Sequence, residues 1–425
     1  MRTLLLAATI LFGACEAVHA FCGFYVAQSG GALVNHASKV VLAHNGDRTA
    51  ITMSSDVSGN PRDFALVIPV PTTIQRDQVR LVQSQTVDHL DGFSVPRLVE
   101  YFDPDPCPPP VDTTRVYRNL PIPAPMAAPP RSRDALGVTV EASYSVGEYD
   151  ILVLSAQNSG GLLTWLNGNG YKVPRAAEPT IRSYLAQRMQ FFVAKVNLAR
   201  QERSGSPFLR PIQVEYQSPK FTLPIRLGTV NADGPQEMVV LALTQRGRVE
   251  TTNYRTIRMP TGTEVPLFVK NDFARFYKAA FDRQVSDADG RAVFLEYAWD
   301  MATCDPCSAP PLSRDELREL GVTWNTTARM PASAFVTRLH VRYDREHFPE
   351  DLALQETSDT EQYQARYVLQ QPWRGAAACE AGQRYTAGLP ARAAKQARNV
   401  LELTDWSYDD VRGRMEAGGQ QLPRP

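Results

Sequence analysis

The sequence lacks an excess of charge, and it lacks a long hydrophobic run after its first residues. Lysine plus arginine number 45 and aspartate plus glutamate also number 45, so the formal net charge is zero. A balanced charge gives no general attraction for nucleic acid or an anionic membrane surface. No segment beyond the leader approaches the roughly 20 consecutive apolar residues that a transmembrane helix requires. We therefore expect no nucleic-acid partner and no membrane-spanning helix in the mature chain.

Catalytic and cofactor-binding signatures are also missing. The sequence has no Gly-x-Ser-x-Gly elbow, no His-Glu-x-x-His pair and no phosphate-binding glycine loop. A partial calcium pattern, Asp287 to Gly290 with Glu296, has Val285 at its first position and is more typical of a tight turn. We expect no cofactor and no resident metal. The partner, whether a protein or another component of the cell envelope, stays open.

The first 20 residues have the composition of a secretory signal peptide. Arg2 supplies the positive charge, Leu4 to Phe12 form a short apolar core, and Val18-His19-Ala20 resembles a cleavage site. The apolar core is too short for a permanent membrane anchor. We therefore predict a secreted or periplasmic protein. The alternative is a lipoprotein anchored at Cys15.

Cysteine is scarce, and its few positions constrain the fold. Of the six cysteines, Cys15 lies in the predicted leader, which leaves five in the mature chain. In an oxidising compartment cysteines are mostly paired, and an odd number leaves at least one free or bonded to another molecule. The five are Cys22, Cys107, Cys304, Cys307 and Cys379.

The two closest cysteines, Cys304 and Cys307, support two competing hypotheses. They lie between an apolar strand pattern and a short helix, whose start is marked by a capping box of Ser313 and Glu316. A Cys-x-Pro-Cys pair between a strand and a helix is similar to a thiol–disulfide active site. Two prolines separate this pair from the helix, so neither thiol lies at the helix N-terminus. The sequence favours a structural disulfide, within the pair or with Cys107, over redox catalysis.

A basic strand face is the candidate for contact with a ligand. The segment from Thr337 to Tyr343 alternates strictly and places Arg338, His340 and Arg342 on one face. This alternation predicts a half-exposed strand. The basic face could bind the carboxylates of a ligand or partner. The alternative is an ordinary strand face exposed to solvent, which would show the same pattern.

The composition and the many short apolar segments predict an α+β fold. Its 32 prolines favour short strands and ordered loops over helical bundles. We expect a mainly antiparallel β-sheet in two lobes, with a few short helices and a Pro-rich loop at 104–130. Asn45-Gly46 predicts a hairpin turn, and the last helix is expected to begin at Pro390. The predicted divisions are a signal peptide at 1–20, an N-terminal β-rich lobe at 21–208, a C-terminal β-rich lobe with the Cys-x-x-Cys segment at 209–412, and a disordered tail at 413–425.

Several segments together are similar to one bacterial family. They are FCGFYVA, FALVIPVP, EYFDPDPC, YDILVLSAQNSGGLLTWLNGNGYKVP, FTLPIRLG, TNYRTIRMP and EYAWDMATCDPC. From about Phe21 to Trp406 the chain resembles the exported bacterial family called domain of unknown function 2330. The resemblance implies an extracytoplasmic bacterial protein and carries over no catalytic residue.

The functional prediction follows from the scaffold. Proline-rich loops on a sheet scaffold favour binding or display over chemistry. We therefore predict a non-enzymatic extracytoplasmic binding or scaffold protein stabilised by disulfides. The alternative is a thiol–disulfide oxidoreductase that uses Cys304 and Cys307, so the question of enzymatic activity stays open.

Overall fold

The computed structural model describes most of the chain. The described residues are 24–27, 34–58, 64–107, 134–135, 138–171, 173–197, 199–201, 209–230, 232, 234–303, 309–324 and 333–422. The predicted signal peptide, Cys22, the Cys304/Cys307 pair and most of the Pro-rich loop lie outside these residues.

Two large sheets form the centre of the fold. The six-stranded sheet is antiparallel throughout, in the order β1 (Phe24–Ala27), β4 (Phe64–Val70), β10 (Gln190–Val196), β9 (Tyr149–Ala156), β8 (Val138–Val146) and β7 (Asp134–Ala135). The nine-stranded sheet has the order β15 (Arg255–Arg258), β17 (Ala292–Asp300), β18 (Phe335–Tyr343), β13 (Gln236–Thr244), β2 (Val34–Asn45), β3 (Arg48–Ser58), β11 (Ile212–Gln217) and β5 (Val79–Leu81), with β20 (Tyr363–Gln364) paired to β17. It is antiparallel except for the β13/β2 and β15/β17 pairs.

Two small sheets, seven α-helices and five short 3-10 helices are the other described elements. One small sheet has the order β12 (Thr222–Leu223), β19 (Leu352–Glu356) and β14 (Val249–Thr251); the other is parallel, in the order β16 (Thr263–Glu264), β21 (Arg366–Gln371) and β6 (Arg97–Phe102). The helices are α1 (Ser84–Ser94), α2 (Ser159–Gly168), α3 (Glu178–Ala186), α4 (Phe273–Asp287), α5 (Arg314–Glu319), α6 (Glu380–Leu403) and α7 (Tyr408–Ala417).

The two large sheets pack face to face because the facing side of each sheet carries apolar residues. Successive side chains of a strand point to opposite faces, so Val40 and Leu42 of β2 join a core shared with Leu66 and Ile68 of β4. The outer face of the six-stranded sheet is covered by α2 and α3. The outer face of the nine-stranded sheet is covered partly by α1 and α5. Helices α4, α6 and α7 pack together on β21.

The structure confirms the α+β fold and several local predictions. Gly46 has φ +61° in the β2–β3 turn, as the Asn-Gly pair predicts. Ser313 and Glu316 form both bonds of the capping box at the start of α5. None of the helices among the described residues combines the length and the apolar character needed to cross a bilayer.

The predicted start of the last helix needs correction, whereas the predicted division into two lobes at 208/209 stays a prediction. The nine-stranded sheet joins β2, β3 and β5 to strands that follow residue 209. Helix α6 begins at Glu380 and contains Pro390 inside it, so the helix continues past a residue that lacks the backbone N–H donor. The predicted disordered tail at 413–425 includes the second half of α7, where Met415 is fully buried.

Candidate functional site

The predicted basic strand face is largely covered: Arg338 is buried, and His340 and Arg342 are partly buried. Arg338 is 6% exposed, and its guanidinium is paired with Asp91 of α1. The ring of His340 stacks on Phe281 of α4, with 3.7 Å between centroids. Alternation in a sequence tells which side chains share a strand face, but it does not tell what covers that face. Here two helices cover it.

Carboxylates of neighbouring elements neutralise this face. Glu296 of β17 accepts hydrogen bonds from Arg338 Nε at 2.6 Å and from the His340 ring at 2.8 Å. Glu237 of β13 accepts from Arg342 Nε at 2.8 Å. The three basic side chains therefore have partners within the chain, and a ligand-facing role for them stays a prediction.

The pKa values of the cluster reflect this pairing. Burial opposes the charge of His340, but the carboxylates of Glu296 and Glu237 outweigh it and raise its pKa to about 9. Burial likewise opposes the charge of Glu296, and His340 and Arg338 lower its pKa to about 2. At neutral pH the cluster is a fully ionised, hydrogen-bonded network.

The other histidines with described side chains also have local partners. His44 stacks on Phe221 at 3.7 Å, and burial lowers its pKa. His89 lies 2.7 Å from a carboxylate oxygen of Glu316, and His347 lies 2.7 Å from one of Asp344. Among the described residues, no three His, Cys, Asp or Glu side chains are grouped so that they could hold a metal ion.

Cys107 is bonded to Cys379, 272 residues away in the sequence. This bond excludes a bridge from Cys107 to Cys304, which was one of the two structural hypotheses. Cys304 and Cys307 themselves lie outside the described residues, so a bridge within the pair stays a prediction. The bonded Cys379 is also the N-cap residue of α6. The disulfide therefore ties the end of the β6 segment to the start of α6.

A cavity of about 370 Å³ lies beside this cross-linked region. It is bounded by the end of β21, the middle of α6 and the segment after α7. Its lining combines five glutamines and two arginines with apolar and small residues. The lining residues are Leu267, Gln370, Gln371, Pro372, Arg374, Thr386, Leu389, Pro390, Arg392, Ala393, Gln396, Gly418, Gly419, Gln420 and Gln421. We call this space the glutamine cavity.

Asp103 holds one wall of the glutamine cavity in place. Its carboxylate accepts hydrogen bonds from Gln370 Nε2, Tyr385 Oη and Arg392 Nη2, each at 2.6 Å. Burial opposes the charge of Asp103, but these donors outweigh it and lower the pKa of the carboxyl. Asp103 lies four residues before Cys107, so the disulfide and this carboxylate fix the same junction between β6, β21 and α6.

The side-chain amide of Gln371, in the polar lining, is only partly used in hydrogen bonds within the chain. Gln371, the last residue of β21, is 8% exposed, and its Nε2 donates to Glu100 Oε1 at 2.7 Å. Its other amide atom, Oε1, is buried without a hydrogen-bond partner in the described part of the chain. A buried acceptor without a donor costs about 1–3 kcal/mol. This acceptor lies buried inside the wall of the cavity.

Amides and guanidinium groups make up most of the polar lining. No Ser, Cys, His, Asp, Glu or Lys is among the described residues that line it. Those residue types supply most nucleophiles and acid–base groups of enzymes, to which the hydroxyl of a threonine such as Thr386 also belongs. The arrangement can bind and orient a polar molecule.

Sequence reasoning missed the glutamine cavity. Two glutamine pairs, Gln370-Gln371 and Gln420-Gln421, mark it in the sequence, and the first pair ends an otherwise apolar strand pattern. Polar residues at the end of a buried strand are a signal for a site. The signal was weak because the two pairs lie about 50 residues apart.

Comparison with known proteins identifies one family. The family described as an uncharacterised protein conserved in bacteria, domain of unknown function 2330, matches residues 16–355. No curated protein and no solved structure matches the chain. The match ends before Trp406, the limit that the sequence motifs suggested. Of the residues lining the glutamine cavity, all but Leu267 follow the matched range.

Proposed function

The chain belongs to the bacterial family called domain of unknown function 2330, and we propose that it is a non-enzymatic extracytoplasmic binding protein whose binding site is the glutamine cavity. The observation that carries the proposal is the lining of this cavity. Amides and guanidinium groups recognise polar ligands, and among the described lining residues Thr386 is the only one beside them with a side-chain hydroxyl. A volume of about 370 Å³ is in the range of small-molecule sites.

The surrounding structure supports a preorganised site. Gln370 and Arg392 are held by Asp103, and the Cys107–Cys379 bond fixes the adjacent start of α6. Binding loses less conformational entropy when the groups of the site are already ordered. A rigid wall of this kind suits a protein that captures a ligand.

The disulfide and the leader support the extracytoplasmic location. Disulfides persist in oxidising compartments and are rare in the cytosol of most organisms. The residues before position 21 have the composition of a secretory signal peptide. A secreted or periplasmic protein accounts for both features.

A thermal-shift experiment with matched variants tests the proposal. Thr386 lines the mouth of the cavity, whereas the neighbouring Ala387 is exposed on α6 and does not line it. We expect at least one compound from a panel of amino acids, peptides, sugars, sugar acids and phosphates to raise the melting temperature of the purified protein. A ligand that binds only the folded state stabilises it by mass action.

Two variants test whether the shift in melting temperature comes from binding in the glutamine cavity. We expect Thr386→Trp to abolish the shift because the indole narrows the mouth, and Ala387→Trp to retain it. The proposal fails if no compound shifts the melting temperature or if Thr386→Trp shifts as the unmodified protein does. Catalysed reduction of insulin by dithiothreitol, lost in Cys304→Ala, would instead support the thiol–disulfide oxidoreductase that the Cys304/Cys307 pair suggests.

A further inference from the structure

We propose that two copies of the chain form a symmetric dimer in which strand β6 pairs antiparallel with β6 of the second copy, with Val99 opposite the partner's Val99. The open side of β6 (Arg97–Phe102) is called the β6 edge. The inference goes beyond the proposed function, because it concerns a different surface. The backbone of β6, its exposed side chains and their order along the strand lead to it.

The backbone of the β6 edge has hydrogen-bonding groups that the chain does not use. Strand β6 is the last strand of the parallel sheet β16–β21–β6. The backbone N–H groups of Arg97 and Asp103 donate to carbonyl groups of the segment 365–371. Because alternate residues of a strand direct their backbone groups to opposite sides, the residues that face away from β21 are Leu98, Glu100 and Phe102. Their N–H groups make no hydrogen bond within the described part of the chain, and such a row is a template for another strand.

Exposed apolar side chains are concentrated at the same place. Among the described residues, the exposed large apolar or aromatic side chains are Val95, Tyr101, Phe102 and Tyr408. Three of the four lie within eight residues, on β6 or just before it, and Phe102 is 72% exposed. Edge strands of monomers are commonly protected by charge or by a covering segment, and exposed apolar patches mark contact surfaces. The β6 edge therefore fits an extended strand with apolar and aromatic side chains.

The order of side chains along β6 makes a second copy of the chain a complementary partner. When an antiparallel pair is centred on Val99, the partner's Tyr101 lies opposite Arg97 and the partner's Phe102 lies opposite Pro96. A guanidinium group on an aromatic ring is a favourable contact, as are apolar pairs across two strands. The two-fold symmetry repeats each contact. Pro96 has no N–H to donate, and the edge position tolerates it.

Backbone hydrogen bonds and charge select this register. Leu98 and the partner's Glu100 exchange two N–H···O=C bonds, since both residues direct their backbone groups away from β21. The register in which Glu100 lies opposite the partner's Glu100 places two carboxylates against each other, which is destabilising. No like charges lie directly opposite each other in the register centred on Val99. The two three-stranded sheets then form one sheet of six strands, a common size.

Sedimentation velocity over a dilution series tests the dimer. We expect the purified protein to form a species of twice the chain mass that dissociates on dilution. Tyr101→Lys should weaken dimerisation by about tenfold or more, because the lysine would lie opposite the partner's Arg97. Tyr408→Lys is the matched control, since Tyr408 is 47% exposed on α7 and Tyr101 is 46% exposed. This control should leave the dimer unchanged.

Cysteine cross-linking tests the register. Opposite residues of a non-hydrogen-bonded antiparallel pair have Cα atoms about 4.5 Å apart, which permits a disulfide. Val99→Cys should therefore form a covalent dimer under mild oxidation, seen on a non-reducing gel. Val95→Cys is the control, because Val95 is exposed but would lie roughly 25 Å from the partner's Val95 along the paired strands. It should cross-link no more than the unmodified protein does.

Several outcomes would overturn the proposal. They are a monomer at every concentration up to about 100 µM, a dimer that Tyr101→Lys leaves intact, and equal cross-linking of Val99→Cys and Val95→Cys. A monomer in which the amides of Leu98, Glu100 and Phe102 exchange slowly would show that another segment of the same chain covers the β6 edge, and it would also overturn the proposal. Binding in the glutamine cavity does not depend on any of these results.

Discussion

His340 and Glu296 form a hydrogen-bonded ion pair across the neighbouring strands β18 and β17, with the His340 Nδ1 2.8 Å from Glu296 Oε1. The side chain of Glu296 is 1% exposed, and that of His340 is 14% exposed. Two opposite charges at this depth are stable only because each has further partners, Arg338 for Glu296 and Glu237 for His340. The pair therefore links protonation to the stability of the nine-stranded sheet.

Stability should fall as the pH rises from about 6.5 to 9. The unfolded chain releases the proton of His340 near its ordinary pKa of 6.5, whereas the folded protein retains it up to about 9. This proton thus contributes about 3 kcal/mol to the free energy of unfolding. The contribution is complete below pH 6.5 and is lost as the pH passes 9. Urea unfolding at pH 6.5 and 9 measures it. His340→Gln should show a smaller difference between the two pH values, and an equal difference would contradict the prediction.

Replacing Glu296 should destabilise the protein strongly. Glu296→Gln leaves Arg338 and His340 buried with one carboxylate fewer, and breaking a buried ion pair costs about 3–5 kcal/mol. Glu380→Gln is the matched control, because Glu380 pairs with Arg384 on the surface of α6 with its side chain 84% exposed. Exposed pairs contribute at most about 1 kcal/mol. Chemical denaturation measures the free energy of unfolding of both variants. A similar decrease in the two would show that the buried network does not stabilise the fold more than a surface ion pair does.

The Cys107–Cys379 bond should stabilise the folded chain. It closes a loop with a sequence separation of 272 residues, and removal of a native disulfide typically costs about 2–5 kcal/mol. We expect Cys379→Ser to lower the free energy of unfolding by this amount. Non-reducing peptide mapping of the unmodified protein should recover Cys107 and Cys379 in one cross-linked peptide. Recovery of Cys107 linked to any other cysteine would refute the connectivity.

Two glycines should respond to alanine in opposite directions. Gly321 follows α5 with φ +96°, and a Cβ there would lie 2.5 Å from the Cβ of Ala50. Gly321→Ala should therefore cost about 2 kcal/mol or more, since it adds backbone strain and a steric overlap. Gly413 lies inside α7 with open space around it, so Gly413→Ala should stabilise by up to about 1 kcal/mol. Thermal unfolding of both variants checks the difference, and equal changes would contradict it.

Local signals in the sequence predicted local structure well. The Asn45-Gly46 pair specifies a turn with positive φ, and the Ser313/Glu316 pair specifies a helix start, because each depends only on residues a few positions apart. The α+β class followed from many short apolar segments, and the described sheets confirm it. Such features can be predicted without knowing which elements pack against them.

Long-range packing could not be predicted in the same way. The alternation around His340 placed three basic residues on one face, but only the fold shows that α1 and α4 cover that face. The partner of Cys107 comes from the far end of the chain. The glutamine cavity likewise joins β21, α6 and residues 418–421, whose proximity depends on how α6 and α7 pack.

Hydrogen exchange of the purified protein, with and without a compound of the panel that raises its melting temperature, tests the central claim most directly, because it locates binding along the chain. We predict slower exchange of backbone amides in residues 370–374, 386–393 and 418–421, with the rest of the described chain unchanged. Ligand-dependent protection confined to other segments, such as the region around Cys304 and Cys307, or no protection at saturating ligand, would contradict the assignment of the glutamine cavity as the binding site.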